Sequence, residues 1–385
     1  MKQAQFAMAK QLARNAECLS RQGDSALQEQ QWALLAECLE RGEEAVLDEA
    51  LHLARLMGGI EELMADLSFT AACHPVSNHP HRFVELAAIP VVCSLSSASA
   101  SGLPGQMEDV EKLKQLLQDR GLLESDHGPV EVVLLPGFWG AQEILSWRYG
   151  KVYGLTRKLE AVLARKTPVG AILDLPRIES VGHPFSEEGV CVELRFFLGG
   201  ISYPGEDDMP FEQEDRLEAV RSWQDALESY LNETYDGQYM VLDPGHFYGS
   251  LSDAVSNYQL FLLQYRINMG LTDSQVEPGT VSAYLSLHGR NPESIDLIRV
   301  AGYRGPDGER VFNGQWQIMP SDNPVQVIDL LTDMLVEEGI MDCHICSDVE
   351  PVPACRACGK PLFPARTGFR HMMRQKILQG TVLPG

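Results

Sequence analysis

Apolar and charged residues alternate at helical spacing from the start of the chain. Over residues 2–66 the period of three to four positions is the one that gives a helix a single buried stripe. In ALQEQQWALLAECLERGEEAVLDEALHLARLM that stripe is Trp32, Leu34, Leu35, Leu39, Val46, Leu47 and Leu51, with Asp24 and Ser25 as an N-cap and Gly58-Gly59 as a stop. The spacing predicts two or three short antiparallel helices.

From about residue 68 the period changes. HRFVELAAIPVVCS reads as a long, largely buried strand, SLSSASASGLPGQ as a loop, MEDVEKLKQLLQDRGLL as an amphipathic helix, VEVVLLPGFWG as a strand and turn, and AQEILSWRYGKVYGLTRKLEAVLAR as a long helix. The same order then recurs. VCVELRFFLGGIS is a strand, YPGEDDMPFEQED a loop, RLEAVRSWQDALESYLNETY a helix, QYMVLDPGHFYG a strand and turn, and SLSDAVSNYQLFLLQYRINMG a long helix. The turns VVLLPGFWG and MVLDPGHFYG share Val, Leu, Pro-Gly, an aromatic residue and a closing Gly, which points to two similar units from a duplication. Three strands follow, TVSAYLSLHG, SIDLIRVAGYR and ERVFNGQWQIM, the last two flanking a Gly305-Pro306-Asp307-Gly308 hairpin turn. The helix NPVQVIDLLTDMLVEEG and a final short strand, IMDCHIC, complete the pattern. The expected class is α/β in the α+β sense, with mixed sheets: a helical region 1–66, a first α/β unit 67–175, a second with its hairpin 176–340, and a C-terminal segment 341–385.

An apolar fraction of 44% and a charged fraction of 22% over 385 residues are those of a globular chain large enough to bury its own core. The N-terminus has no apolar signal region, and runs such as VELAAIPVVC are far short of the roughly 18–20 residues a membrane helix needs. A cytoplasmic protein with no membrane contact is expected, and in a reducing compartment its nine cysteines are thiols or metal ligands. The net charge of −23 is unevenly placed. Six of the 31 basic residues and none of the 54 acidic ones lie between Cys355 and Gly385. An acidic body of this kind repels nucleic acid at long range, while the basic tail docks on that body, stays solvated or reaches an acidic partner.

The densest chemistry is MDCHICSDVEPVPACRACGK. Cys343, Cys346, Cys355 and Cys358 form two Cys-x-x-Cys pairs, the ligand set of a structural, four-thiolate zinc site. Gly359 after the second pair permits the turn that aims backbone N–H groups at the sulfurs, and the first pair lacks such a Gly. The alternatives are a metal-free strand and turn, His344 or His371 in place of a cysteine, and an iron–sulfur cluster. Elsewhere, Cys73, His74, His79 and His81 form a His-rich run, a candidate metal or acid/base cluster that reads more simply as a polar loop. Asp243, His246 and Tyr248 stand in a turn after a strand, but the matching LLPGFWG turn has neither Asp nor His. The shared feature is therefore Pro-Gly and aromatic packing. The acidic loop Glu206-Asp207-Asp208 has no cation-loop pattern around it. No nucleotide, hydrolase, metalloprotease or kinase motif is present.

The segments WALLAECLERGEEAVLDEALHLA, VVLLPGFWGAQEILSWRYGKVYGLTRKLEA and ACRACGKPLFP, together with the helix before IMDC, resemble an uncharacterised proteobacterial family known only as a domain of unknown function. The resemblance implies a bacterial, cytoplasmic protein and brings no reaction or catalytic residue. The first pair, Cys343 and Cys346, departs from the family's pattern. The expected function is a non-catalytic scaffold or adaptor acting through protein partners, with a zinc-stabilised C-terminus, as a component of a secretion, conjugation or defence assembly. Two alternatives stand beside it. One is an enzyme of unfamiliar type with a site near His246, Tyr248 and Trp139. The other is a nucleic-acid-associated protein using the zinc clip and the tail residues Arg366, Arg370, Arg374 and Lys376 with Phe363 and Phe369.

Overall fold

A computed structural model describes residues 3–76, 79–94, 112–116, 119, 130–135, 138–163, 192–203, 217–235, 238–289, 295–305, 308–319 and 322–351. The chain is α+β and divides into two compact units, Met1–Val255 and Ser256–Gly385. Among the described residues, no helix is long and apolar enough to cross a membrane.

The first unit opens with four helices, α1 Gln3–Gln22, α2 Ser25–Glu40, α3 Glu44–Met57 and α4 Ile60–Ala72. Asp24 caps α2 as expected, its carboxylate accepting from Ala26 N at 2.9 Å and Leu27 N at 3.3 Å. The apolar run that reads as one helix is broken at Gly42, whose φ of 64° turns the chain back, and α3 ends at Gly58 with φ 86°. Leu35, Leu39, Val46 and Leu47 are buried, as are Leu12 and Ala16 of α1 and Leu63 and Leu67 of α4. Within this apolar bundle lies one carboxylate. Asp66 of α4 accepts from Gln28 Nε2 and, at 2.8 Å, from Trp32 Nε1, both through Oδ1, while its buried Oδ2 meets no partner. Burial, the largest cause, lifts its pKa to about 6.

The helices lead into one antiparallel sheet built from β1 Cys73–Val76, β2 His79–Ser94, β3 Glu131–Leu134, β4 Trp139–Gly140, β5 Val192–Tyr203, β6 Gln238–Val241 and β7 Gly245–His246. Its spine is the pairing of β2 with β5, from Phe83 opposite Tyr203 to Ser94 opposite Val192. Each repeat supplies one spine strand and lends its short strands to the other: β3 and β4 pair with β5, while β6 and β7 pair with β2. The two α/β units expected on either side of 175/176 therefore share one sheet. The short strands satisfy their backbone groups on the long strand available beside them, and both halves share one sheet.

The register is symmetric about Ile89 opposite Phe197. The VEL triplets 84–86 and 192–194 thus occupy equivalent places, and Glu85 faces Ile201 as Glu193 faces Cys93. One sheet face carries Ala87, Ile89, Val91, Phe197 and Ile201 against Trp223, Leu227 and Leu231 of helix α7, Leu217–Thr234. After β4 come α5 Ala141–Leu145 and α6 Tyr149–Leu163. Helix α6 packs on the other face, where Leu159 approaches Gly200 and Thr156 Oγ1 donates to Ala71 O at 3.1 Å, tying α6 to α4.

The division between units falls inside helix α8, Phe247–Asp273. The second unit has four strands, β8 Val281–His288, β9 Leu297–Arg304, β10 Glu309–Gln317 and β11 Asp342–Glu350, in the order β10-β9-β8-β11. The expected hairpin joins β9 to β10, with Gly305 and Gly308 at positive φ. Helix α9, Pro324–Glu337, capped by the Asn323 side chain on Val325 N at 3.0 Å, leads to β11, which pairs parallel to β8 and makes the sheet mixed. Leu263, Ile267 and Leu271 of α8 and Leu331, Met334 and Leu335 of α9 cover one face over Ala283, Leu285, Ile298, Val300 and Trp316. Helix α8 sits close to β10: a Cβ added at Gly270 would lie 2.3 Å from Val311 O.

Two predictions follow from this packing. The folded Asp66 carboxyl keeps its proton up to about pH 6, whereas the free group releases it near 3.8. Its contribution to stability is therefore full below pH 3.8 and is lost as pH rises through 6. Asp66→Asn keeps the Oδ1 acceptor and removes the charge, so urea unfolding should show a gain of about 2 kcal/mol at pH 7.5 and no gain at pH 4. Gly270→Ala gains helix propensity worth about 1 kcal/mol but drives a methyl into a backbone oxygen, and a net loss of about 2 kcal/mol is expected in the same assay.

Candidate functional site

The C-terminal strand places the first cysteine pair. Residues 342–346 pair in unbroken register with 282–286 of β8: Cys343 lies beside Ala283, His344 beside Tyr284, Ile345 beside Leu285 and Cys346 beside Ser286. Paired residues share a face, and side chains alternate along a strand. Cys343 accordingly packs on the core with Ala283 and Leu285, its thiol donating to Ile340 O at 3.4 Å, and burial raises its pKa. Cys346 lies on the opposite face. Cys355 and Cys358, and the basic tail behind them, fall outside the described residues, as do the side chains of His79 and His81 and the loop 206–208. Among the described residues, no three His, Cys, Asp or Glu side chains form a group able to hold a metal.

The face that carries Cys346 is polar. One row runs across the sheet from Cys346 through Ser286 and Arg299 to Gln315. Ser286 and the buried His288 share a 2.7 Å hydrogen bond. Burial first, and the Arg299 charge second, lower the His288 pKa to about 4. At the edge of this face the His344 ring stacks on Tyr284 with centroids 4.8 Å apart. His344 Nε2 lies 3.0 Å from Asp342 Oδ1, and the other oxygen of Asp342 accepts from Ser282 Oγ.

In the first unit the sheet brings together a different set. Glu85 Oε1 meets His246 Nδ1, and Glu85 Oε2 accepts from Tyr203 Oη at 3.2 Å. Cys73, opposite Glu85 in the register, has its Sγ 3.7 Å from the same phenol. The Glu85 side chain is 6% exposed and that of His246 34%. Burial and the neighbouring carboxylate push the Tyr203 pKa well above the usual phenol range. A carboxylate on Nδ1 fixes the tautomer of an imidazole and raises its basicity, which is the arrangement a proton-transfer site uses. In the other half the equivalent carboxylate, Glu193, takes Arg195 instead, through Nε at 2.9 Å and Nη2 at 2.7 Å. Phe138, which matches His246 in the aligned turns, stacks on Phe197 at 4.5 Å.

The other sequence candidates disperse. Trp139 pairs with Phe196 and His246 with Ala87, which sets them on opposite faces of the sheet. The Tyr248 ring lies tilted against Tyr149 with centroids 5.3 Å apart, and Asp243 accepts from Gln224 Nε2 at 2.9 Å. Cys73 and His74 point to opposite sides of β1. His74 lies edge-on to Tyr153, and burial, ahead of the Arg157 charge, lowers its pKa to about 4.

One surface departs from the character of the chain. On α8 the solvent-facing stripe of the second unit is Asn257, Phe261, Tyr265, Asn268, Met269 and Thr272, uncharged up to the terminal Asp273. Phe261, Tyr265 and Met269 are 41%, 45% and 43% exposed. The rings of Phe261 and Tyr265 stack with centroids 6.5 Å apart. The outer face of α9, on the same core, carries Asp329, Asp333 and Glu337.

Glu85 and this ridge were not among the sequence candidates. The signal for Glu85 was the repeated VEL triplet, and the signal for the ridge was the run SNYQLFLLQYRINMGLT, in which Arg266 is the single charge. The Glu85–His246 pair can be weighed by a double-mutant cycle. His246→Phe leaves a buried carboxylate without its partner and should cost about 3 kcal/mol, whereas Glu85→Leu combined with His246→Phe should recover most of that loss. Additive losses in urea unfolding would mean the pair is not coupled. No family model, curated protein or solved structure matches the chain, so the reading of these sites rests on their geometry.

Proposed function

We propose that the chain is an adaptor: a non-catalytic protein that takes a partner protein on the exposed ridge of α8, with its C-terminal segment held by a structural zinc ion. The uncharged ridge carries this reading. In a chain with a net charge of −23, a solvent-facing helix stripe is where acidic residues collect; α9 carries Asp329, Asp333 and Glu337 there, interspersed with the exposed Val325, Leu330 and Val336. A stripe of six exposed positions without a charge before the terminal Asp273, with two stacked rings and a methionine at its centre, favours an apolar contact. At about 1.5 Å per residue it offers roughly 24 Å of helix, enough to seat a partner helix. The acidic surroundings select the partner's rim, which should be basic: opposite charge steers the encounter and like charge excludes other acidic proteins. The partner is thus a protein presenting an uncharged apolar face bordered by Lys and Arg.

The test uses the full chain. A partner cross-linked to wild type in the native host is purified and recombined with wild type and with Phe261→Asp/Met269→Asp. Both substitutions lie on the surface, so the variant should keep the wild-type melting temperature. It should bind the partner at least about tenfold more weakly. Equal affinity for the variant, or no protein that recombines with the purified wild type, would overturn the proposal.

A further inference from the structure

We propose that helix α2 is a pH-sensitive latch of the first unit, held against α4 while Asp66 is protonated and released more often once Asp66 is ionised.

The two helices are joined through a single polar atom. Among the described residues, the side-chain hydrogen bonds between α2 and α4 converge on Oδ1 of Asp66, which accepts from Gln28 Nε2 and, at 2.8 Å, from Trp32 Nε1. The Trp32 ring also lies against Phe69 of α4, with centroids 4.9 Å apart. Asp66 is 3% exposed, and its Oδ2 is buried without a partner. A neutral carboxyl tolerates that position far better than a charged one, because burial penalises an ion much more than a dipole. An asparagine would accept the same two bonds and carry no charge at any pH. The aspartate is what makes the contact depend on protonation.

The rest of α2 grips the bundle weakly. Its buried residues are Gln31, Leu35, Cys38 and Leu39, and Gln31 Oε1 is itself buried without a partner. Helix α1, by contrast, buries Ala9, Leu12, Ala13, Ala16 and Leu19. A glycine in the left-handed region stands at each end of α2, Gly23 with φ 57° and Gly42 with φ 64°. A Cβ added at either would meet nothing within 4 Å, so neither turn is wedged in place. A helix with few buried apolar contacts between two glycine turns is the kind of segment that opens without unfolding its domain. Release separates the Trp32 and Phe69 rings and brings Asp66 to water.

The other groups on α2 do not switch in the same range. Cys38 donates its thiol to Met8 Sδ of α1 at 3.2 Å, and Glu40 Oε1 accepts from Tyr153 Oη of α6 at 2.9 Å. Burial lifts the Cys38 thiol to about 11 and the Tyr153 phenol to about 12, so both keep their protons from pH 5 to pH 8. Among the described residues, the one charge acting on Asp66 is Glu62, a turn earlier on α4, and it opposes ionisation; α2 offers only the Gln28 and Trp32 donors. With burial the larger cause, Asp66 in the closed bundle titrates at about 6, against 3.8 when released. The closed state is therefore weakened as pH rises from 3.8 to 6, and the change is complete above that. Acid closes the latch.

Hydrogen exchange of the full chain, read by mass spectrometry at pH 5, 6.5 and 8 and corrected for the intrinsic effect of pH, tests this in wild type and in Asp66→Asn. In wild type at pH 8 the amides of α2 should open at least about tenfold more often than those of β2 and β5. The ratio of α2 opening in wild type to that in the variant should rise about tenfold from pH 5 to pH 8, most of it below pH 6.5. If α2 is as protected as β2 and β5, it opens only with the whole unit and the latch is overturned. A ratio that does not change with pH would remove Asp66 as the group that controls it, and the proposal fails.

Discussion

The first unit depends on one interaction, the antiparallel pairing of β2 with β5. Every short strand of that sheet is hydrogen-bonded to one of these two or lies at their ends, and each repeat is completed by strands from the other. The pairing is symmetric about Ile89 and Phe197, so it also fixes where Glu85 and Glu193 emerge. A slip of one residue would carry both carboxylates, and the whole apolar row from Ala87 to Val91, to the opposite face. The same symmetry lets the halves diverge locally: one glutamate is hydrogen-bonded by His246 and Tyr203, the other by Arg195.

The second unit follows a different constraint, the alternation of a strand. Two helices claim one face of its sheet, and Ser286, His288, Arg299, His344 and Cys346 lie on the other. That partition sets Cys343 among apolar side chains and gathers His344 and Cys346 over Tyr284 and Ser286. The outer surface of α8 leaves two stacked rings and a methionine, Phe261, Tyr265 and Met269, exposed away from that core. The first unit's carboxylate–histidine pair, the polar face of the second and the ridge are three separate consequences of which face each position was given.

Much of this was legible in the sequence, element by element. The α+β class, the helical start, the Asp24 cap, the long strands, the hairpin at Gly305 and Gly308 and the helix before β11 all follow from local periodicity and turn chemistry. What periodicity does not carry is the partner of a strand. VEVVLL reads as a strand, but nothing within it says that it pairs with β5 rather than β2, so the strand exchange and the single shared sheet were missed. Glu85 was passed over for the same reason: one carboxylate in a strand reads as solvated until its neighbours are known. IMDCHIC reads as a short strand and forms one, with Cys343 and Cys346 on its opposite faces.

The account's central claim is that the chain acts by binding a protein on α8. Hydroxyl-radical footprinting of the chain alone and in complex with its purified partner tests it most directly, since Phe261, Tyr265 and Met269 are exposed and all three are reactive. The account predicts that oxidation of these three residues falls on binding while that of Met341, exposed elsewhere in the same unit, does not change. Undiminished oxidation of the ridge in a formed complex, with protection elsewhere, would contradict it.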